Sequence, residues 1–106
     1  MLKIKLLPKE LEEKMPRLYE TENIPLEEKM VYVKYFSPLG NMVWYPVEYD
    51  PEEKLFFGYA NIFEGEFGYF GLEELENIRL PFGMHIERDI DFIPKKIKDI
   101  KDIKLF

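Results

Sequence analysis

Apolar positions change their period along this chain, and each change marks an element. In "LPKELEEKMPRLY", residues 7–19, Leu7, Leu11, Met15 and Leu18 recur at steps of four, four and three. That is one stripe of a short helix, opened by Pro8 and ended by Pro16. A polar loop around Pro25 follows. The period then becomes two: in "MVYVKYF", residues 30–36, Val31, Val33 and Tyr35 share one strand face and Tyr32, Lys34 and Phe36 the other. "SPLGN" reads as a hairpin loop, residues 42–49 as the returning strand, and "DPEE" as a turn. "KLFFGYANI" is a third strand, with Gly58 at a bulge or close contact.

"FEGEFG" turns into a short strand, "FGYF", and Gly71 caps a helix carrying Leu72, Leu75 and Ile78, with Glu73 and Glu74 near its positive end. After the turn "LPFGM", the segment "HIERDIDFI" alternates as a strand would. Ile86, Arg88, Ile90 and Phe92 point one way; His85, Glu87, Asp89 and Asp91 point the other. "PKKIKDIKDIKLF", residues 94–106, spaces Ile97, Ile100 and Ile103 by three and predicts a Lys-rich C-terminal helix. These elements predict an α+β fold: one domain over residues 1–106, an antiparallel sheet of four to five strands in a meander, and three short helices.

The densest aromatic stretch, "MVWYPVEYD", splits by the same alternation. Val43, Tyr45, Val47 and Tyr49 form a core face with Val31, Val33 and Tyr35, while Trp44, Pro46 and Glu48 form the other. Pro46 has no N–H for a ladder, so its strand is expected at an edge or bulged there. Trp44 is core if a helix covers that second face and a contact residue if none does.

Composition narrows the chemistry. The chain has 106 residues, 46% hydrophobic and 16% aromatic, which is enough for a real core. Its longest apolar runs are only a few residues, so neither a membrane span nor a signal-peptide core is expected, and the chain reads as soluble and cytoplasmic. With no cysteine, disulfides and thiolate chemistry are excluded. Sixteen Glu and twelve Lys, with no Gln, resemble the bias of thermophile proteins. The net charge of −6 is unevenly spread: residues 48–91 hold three basic against twelve acidic groups, whereas residues 92–106 hold five Lys and two Asp. The acidic middle repels phosphate backbones, so nucleic-acid binding through residues 48–91 is disfavoured and only the tail favours it.

Elimination removes most enzyme classes. Ser37 lies in a hairpin loop, Thr21 in a polar loop, and the single His85 is remote from both, which argues against a nucleophile–base pair. No glycine-rich phosphate loop occurs. His85, Glu87 and Asp89 are the weak metal candidates, but neighbours two apart on a strand lie about 6–7 Å from each other and need help from another element. The ordinary reading is a charged face that blunts an edge. No catalytic residue and no cofactor is assigned. Arg88 falls on an apolar face and calls for a carboxylate or carbonyl partner, such as Glu48 or a helix end, or else an anionic ligand.

"LYETE" at 18–22, "VKYFSP" at 33–38, "WYPVEYDPEEKLFFG" at 44–58, "EFGYFGLEEL" at 66–75 and "GMHIERDIDF" at 83–92 together resemble the bacterial family known as domain of unknown function 2958, in order over residues 6–93. Its most typical stretches map to Trp44, Tyr45, Glu48, Tyr49 and Asp50, to Gly68, Tyr69 and Phe70, and to Glu87, Arg88 and Asp89. The chain departs from the family pattern with Gly71 where a Ser cap is usual and with its Lys-Asp-Ile tail. The resemblance implies a setting on plasmids, phages or other mobile genetic elements and attaches no mechanism.

The expected function is therefore a small non-enzymatic module that binds a protein partner. One form of it is an acidic mimic of nucleic acid that occupies a host defence or DNA-handling enzyme. Trp44, Glu48, Asp50, Tyr69 and Arg88 are the candidate contacts, since Trp, Tyr and Arg most often anchor interfaces. The alternative is single-stranded nucleic-acid binding through exposed rings and the basic tail; a small metal-dependent enzyme ranks third.

Overall fold

Pairing across the chain is dominated by one long strand, β3 (Val43–Asp50), which lies at the centre of a five-stranded antiparallel sheet. The computed structural model describes residues 4–103. The sheet order is β5 (Gly65–Gly71), β4 (Leu55–Asn61), β3, β2 (Tyr35–Phe36), β6 (Glu87–Arg88), so β2 to β5 form the expected meander and β6 closes the far edge. A separate two-stranded ladder joins β1 (Met30–Val31) to β7 (Lys95–Lys96). Helix α1 (Lys9–Lys14) stops before Pro16, which cannot continue it, and α2 (Leu72–Glu76) follows β5 directly.

Both faces of the sheet are covered, by different parts of the chain. Met15, Trp44, Tyr49, Phe56, Phe70 and Leu75 are buried on the helix face, with Phe56 at the hub: its ring centroid lies 4.7 Å from Tyr49, 5.4 Å from Phe70 and 5.8 Å from Tyr35. Val31, Tyr45, Val47 and Tyr59 are buried on the opposite, tail face beneath Ile97, Ile100 and Ile103.

A bulge in β3 decides which residue goes where. The register shifts between Pro46 and Glu48, so Pro46 stands opposite Gly58 and Glu48 opposite Phe57. The bulge lets a proline sit in a central strand rather than at an edge. It also reverses the alternation: Tyr49, expected beside Tyr45 and Val47, is buried on the helix face with Trp44. Gly58 is required here, because a Cβ would lie 2.3 Å from the Tyr45 carbonyl oxygen and 2.6 Å from Pro46 Cα.

Three further expectations are corrected. Residues 30–36 are two strands, not one, and Val31 is buried on the tail face whereas Val33 and Tyr35 are buried on the helix face. The segment 85–93 contributes only Glu87–Arg88 to the sheet, and Ile90 and Ile93 are exposed. The C-terminal helix expected over 94–106 is instead β7 followed by a single 3-10 turn at Ile97–Asp99; residues 104–106 lie outside the described residues. Spacing by three fits a 3-10 turn as well as an α-helix. What tips the balance is tertiary: Met30 pairs with Lys96, and the Ile97 N–H donates to the Lys29 carbonyl at 3.0 Å.

The tail is also held by charge. Glu28 accepts from Lys98 at 2.8 Å and from Lys96 at 2.9 Å, and these two ammonium groups pull its carboxyl from the ordinary 4.5 down to about 2. A depressed carboxylate stabilises the fold fully above its unfolded value and ceases to do so as pH falls through its folded value. Acid melts should therefore show a loss of stability between pH 4.5 and about 2 that Glu28→Gln removes. Thermal denaturation of the two proteins across that range checks it; parallel acid limbs would refute the clamp.

Candidate partner-binding surface

The five candidate contacts are scattered, and burial withdraws two of them from the surface. Trp44 is only 2% exposed, packed beneath α2, so the covering that would make it a core residue is present. Glu48 is 4% exposed. Its Oε1 accepts the Tyr19 N–H at 2.9 Å, and its Oε2 accepts the Thr21 N–H at 3.2 Å and the Thr21 hydroxyl. Lys29, also buried, donates to Thr21 Oγ1 at 2.7 Å and to the Thr21 carbonyl. A carboxylate, a hydroxyl and an ammonium thus fasten the tight turns of residues 17–24 onto β3. In this loop Tyr19 takes a left-handed φ of 71°. No local pattern signals this network, because Thr21, Lys29 and Glu48 meet only in space.

Asp50 Oδ1 accepts the Glu52 N–H at 3.0 Å and shapes the turn after β3. Arg88 has the carbonyl partner it calls for: its Nε donates to the Lys5 carbonyl at 2.9 Å, and Glu48 is not involved. Tyr69 remains on the surface, 52% exposed, with its hydroxyl 3.3 Å from that of Tyr19. That contact raises the Tyr69 phenol above its ordinary value. Through Tyr19 the fold connects Glu48 to Tyr69; the other candidates stay apart.

His85, Glu87 and Asp89 do not converge. Asp89 Oδ1 accepts the Asp91 N–H at 2.9 Å in a local turn, and Glu87 lies in β6 opposite Phe36. Among the described residues no group of three or more His, Asp or Glu side chains could hold a metal ion. Nor is any described helix long and apolar enough to cross a membrane.

What sequence reading missed is a groove on the helix face, about 450 Å³, between β4–β5 and α2. Trp44, Ala60 and Gly68 floor it, Leu75 and Ile78 wall it, and Glu66 and Glu74 stand among its lining residues. It exists because two of its floor positions on adjacent strands are small: Ala60, and Gly68, where an added Cβ would meet nothing within 4 Å. The β4–β5 hairpin tip beside it carries Ile62, 49% exposed, and Phe63, 98% exposed. An apolar pair at a turn where polar residues are usual was the one available signal. Gly68 stood out only as part of a family-typical stretch.

A family model described as "Protein of unknown function (DUF2958)" matches residues 6–99. Neither curated proteins nor solved structures give a significant match.

Proposed function

We propose, from the premise that this chain belongs to the DUF2958 family, that it is a non-enzymatic module whose partner is a protein. The observation that carries this is the juxtaposition of an open apolar groove with the exposed Ile62 and Phe63 in a strongly acidic segment. Apolar area of this kind, rimmed by charge, suits a protein surface that matches it. In a mobile-element setting, the partner would be a host enzyme of defence or DNA handling, whose basic channel the carboxylates would engage in place of nucleic acid.

Single-stranded nucleic acid is the second reading, favoured by the adjacent exposed rings of Tyr19 and Tyr69. Against it, Lys96 and Lys98 of the basic tail are already bound to Glu28.

Capture with the tagged full-length protein from a lysate of its native host, after nuclease digestion, should recover a protein. A labelled single-stranded oligonucleotide should show no anisotropy change even at low salt. Recovery of nucleic acid alone, or oligonucleotide binding that weakens with salt, would reverse the ranking.

A further inference from the structure

We propose that β5 is a docking strand: an extended basic segment of the partner pairs with its outer edge and sends the side chain opposite Gly68 into the groove above Trp44. This rests on the protein-binding reading and adds the chemistry of what binds.

Among the described residues β5 has a neighbour, β4, on one side only. The Leu72 N–H donates to the Lys54 carbonyl at 2.9 Å, which fixes the phase of the β4–β5 ladder. Antiparallel pairs alternate between hydrogen-bonded and non-hydrogen-bonded, so Gly68 and Phe70 direct their backbone groups toward β4 while Phe67 and Tyr69 direct theirs outward. Gly71 follows the same phase, and its outward N–H is taken at 3.0 Å by Glu74, which closes that end of the edge. An incoming strand would hydrogen-bond to Phe67 and Tyr69. Its residue opposite Gly68 then occupies a non-hydrogen-bonded position, where cross-strand side chains approach most closely. Because a Cβ at 68 meets nothing within 4 Å, that side chain has room to lean across Gly68 toward Leu75 and Ile78.

Charge selects the occupant. Between Lys54 and Arg79 the chain has five carboxylates, Glu64, Glu66, Glu73, Glu74 and Glu76, and no basic residue. Two of these, Glu66 and Glu74, line a groove that is otherwise mainly apolar. An Arg or Lys matches both features, its aliphatic stem on the apolar floor and its charged head between carboxylates. A second copy of this chain would instead bring like charges together along the edge, which disfavours self-pairing.

The test uses the full-length isotope-labelled protein and a short synthetic peptide alternating Arg and Val. Amide shifts should centre on Phe67–Tyr69 and on Leu75 and Ile78, with slowed hydrogen exchange at the Phe67 and Tyr69 amides. N-methylation of the peptide's edge-facing residues should weaken binding by about tenfold or more, and replacing its Arg by Glu should abolish it. Gly68→Val should keep or raise the melting temperature, since Val suits a strand better than Gly, and should weaken binding by a similar factor. Failure of the Arg/Val peptide to bind would overturn the proposal, as would binding indifferent to N-methylation or to Gly68→Val. So would a concentration-dependent dimer that perturbs the same amides, because it would make a second copy the occupant. If the docking strand fails in this way while nuclease-resistant capture of a protein persists in Gly68→Val, the protein-binding reading stands alone; salt-dependent oligonucleotide binding removes both.

Discussion

Glu48→Ala should cost about 2–4 kcal/mol of folding stability, because it strips several largely buried donors of their charged acceptor, at about 1–3 kcal/mol for a buried group left unmet. Glu48 is 4% exposed and receives the Tyr19 and Thr21 backbone N–H groups together with the Thr21 hydroxyl, while Lys29 reaches the same Thr21 from the other side. Truncation removes all three acceptor contacts at once and leaves Thr21, which Lys29 also holds, without its carboxylate acceptor. Two backbone donors become orphans, and unmet buried donors cost more than a met hydrogen bond contributes. Chemical denaturation checks the value. Glu48→Gln, which keeps an acceptor but not the charge, should fall between wild type and Ala. Combining Glu48→Gln with Lys29→Met should be less destabilising than the two single changes summed, because both side chains act on the same Thr21 hydroxyl. A loss below about 1 kcal/mol for Glu48→Ala would place the carboxylate among ordinary surface pairs and refute the network.

Trp44→Ala should be of similar size, about 3–5 kcal/mol, because it empties a large buried site that α2 and the sheet hold open. In a domain of this size each kcal/mol shifts the melting temperature by about 4–8 °C, so the change is easily read by thermal denaturation. Alternation alone leaves Trp44 open between core and contact residue, and the burial beneath α2 makes it core. The conservative Trp44→Phe separates the roles. It should retain the fold with a much smaller loss and alter only the floor of the groove. An alanine variant as stable as wild type would show that the ring does not hold α2 on the sheet.

Both residues illustrate why the candidate site was less legible than the fold. Trp44 and Glu48 alternate away from Tyr45 and Val47 in sequence, which is what marks them as contacts. That reasoning assumes an uninterrupted pleat and an uncovered face. Pro46 did announce a bulge or an edge, but which of the two depends on a partner strand the local sequence does not name. Once Pro46 faces Gly58, Glu48 stands opposite Phe57 and Tyr49 crosses to the helix face, while Trp44 stays on that face and is covered by α2. Arg88 finds a carbonyl acceptor, that of Lys5, but in an exposed hydrogen bond, because Ile90 beside it is on the surface and the expected apolar face is only partly built. The groove could not be read in advance. It is a void defined by a missing side chain at Gly68 and by the position of α2, and neither is a pattern in sequence.

By itself the sequence determined the order and kind of the main elements, the antiparallel meander, the α+β class and the acidic character of residues 48–91. These follow from short-range properties: apolar period, proline and glycine positions, and counted charge. The tertiary structure decided the parity of β3, the burial of Trp44 and Glu48, and the extended path of the C-terminal segment. It also decided that Glu66 and Glu74 flank an apolar groove beside an unpaired strand edge. Each of these depends on residues distant in sequence meeting in space, where close packing and the need to satisfy buried polar groups override the local period.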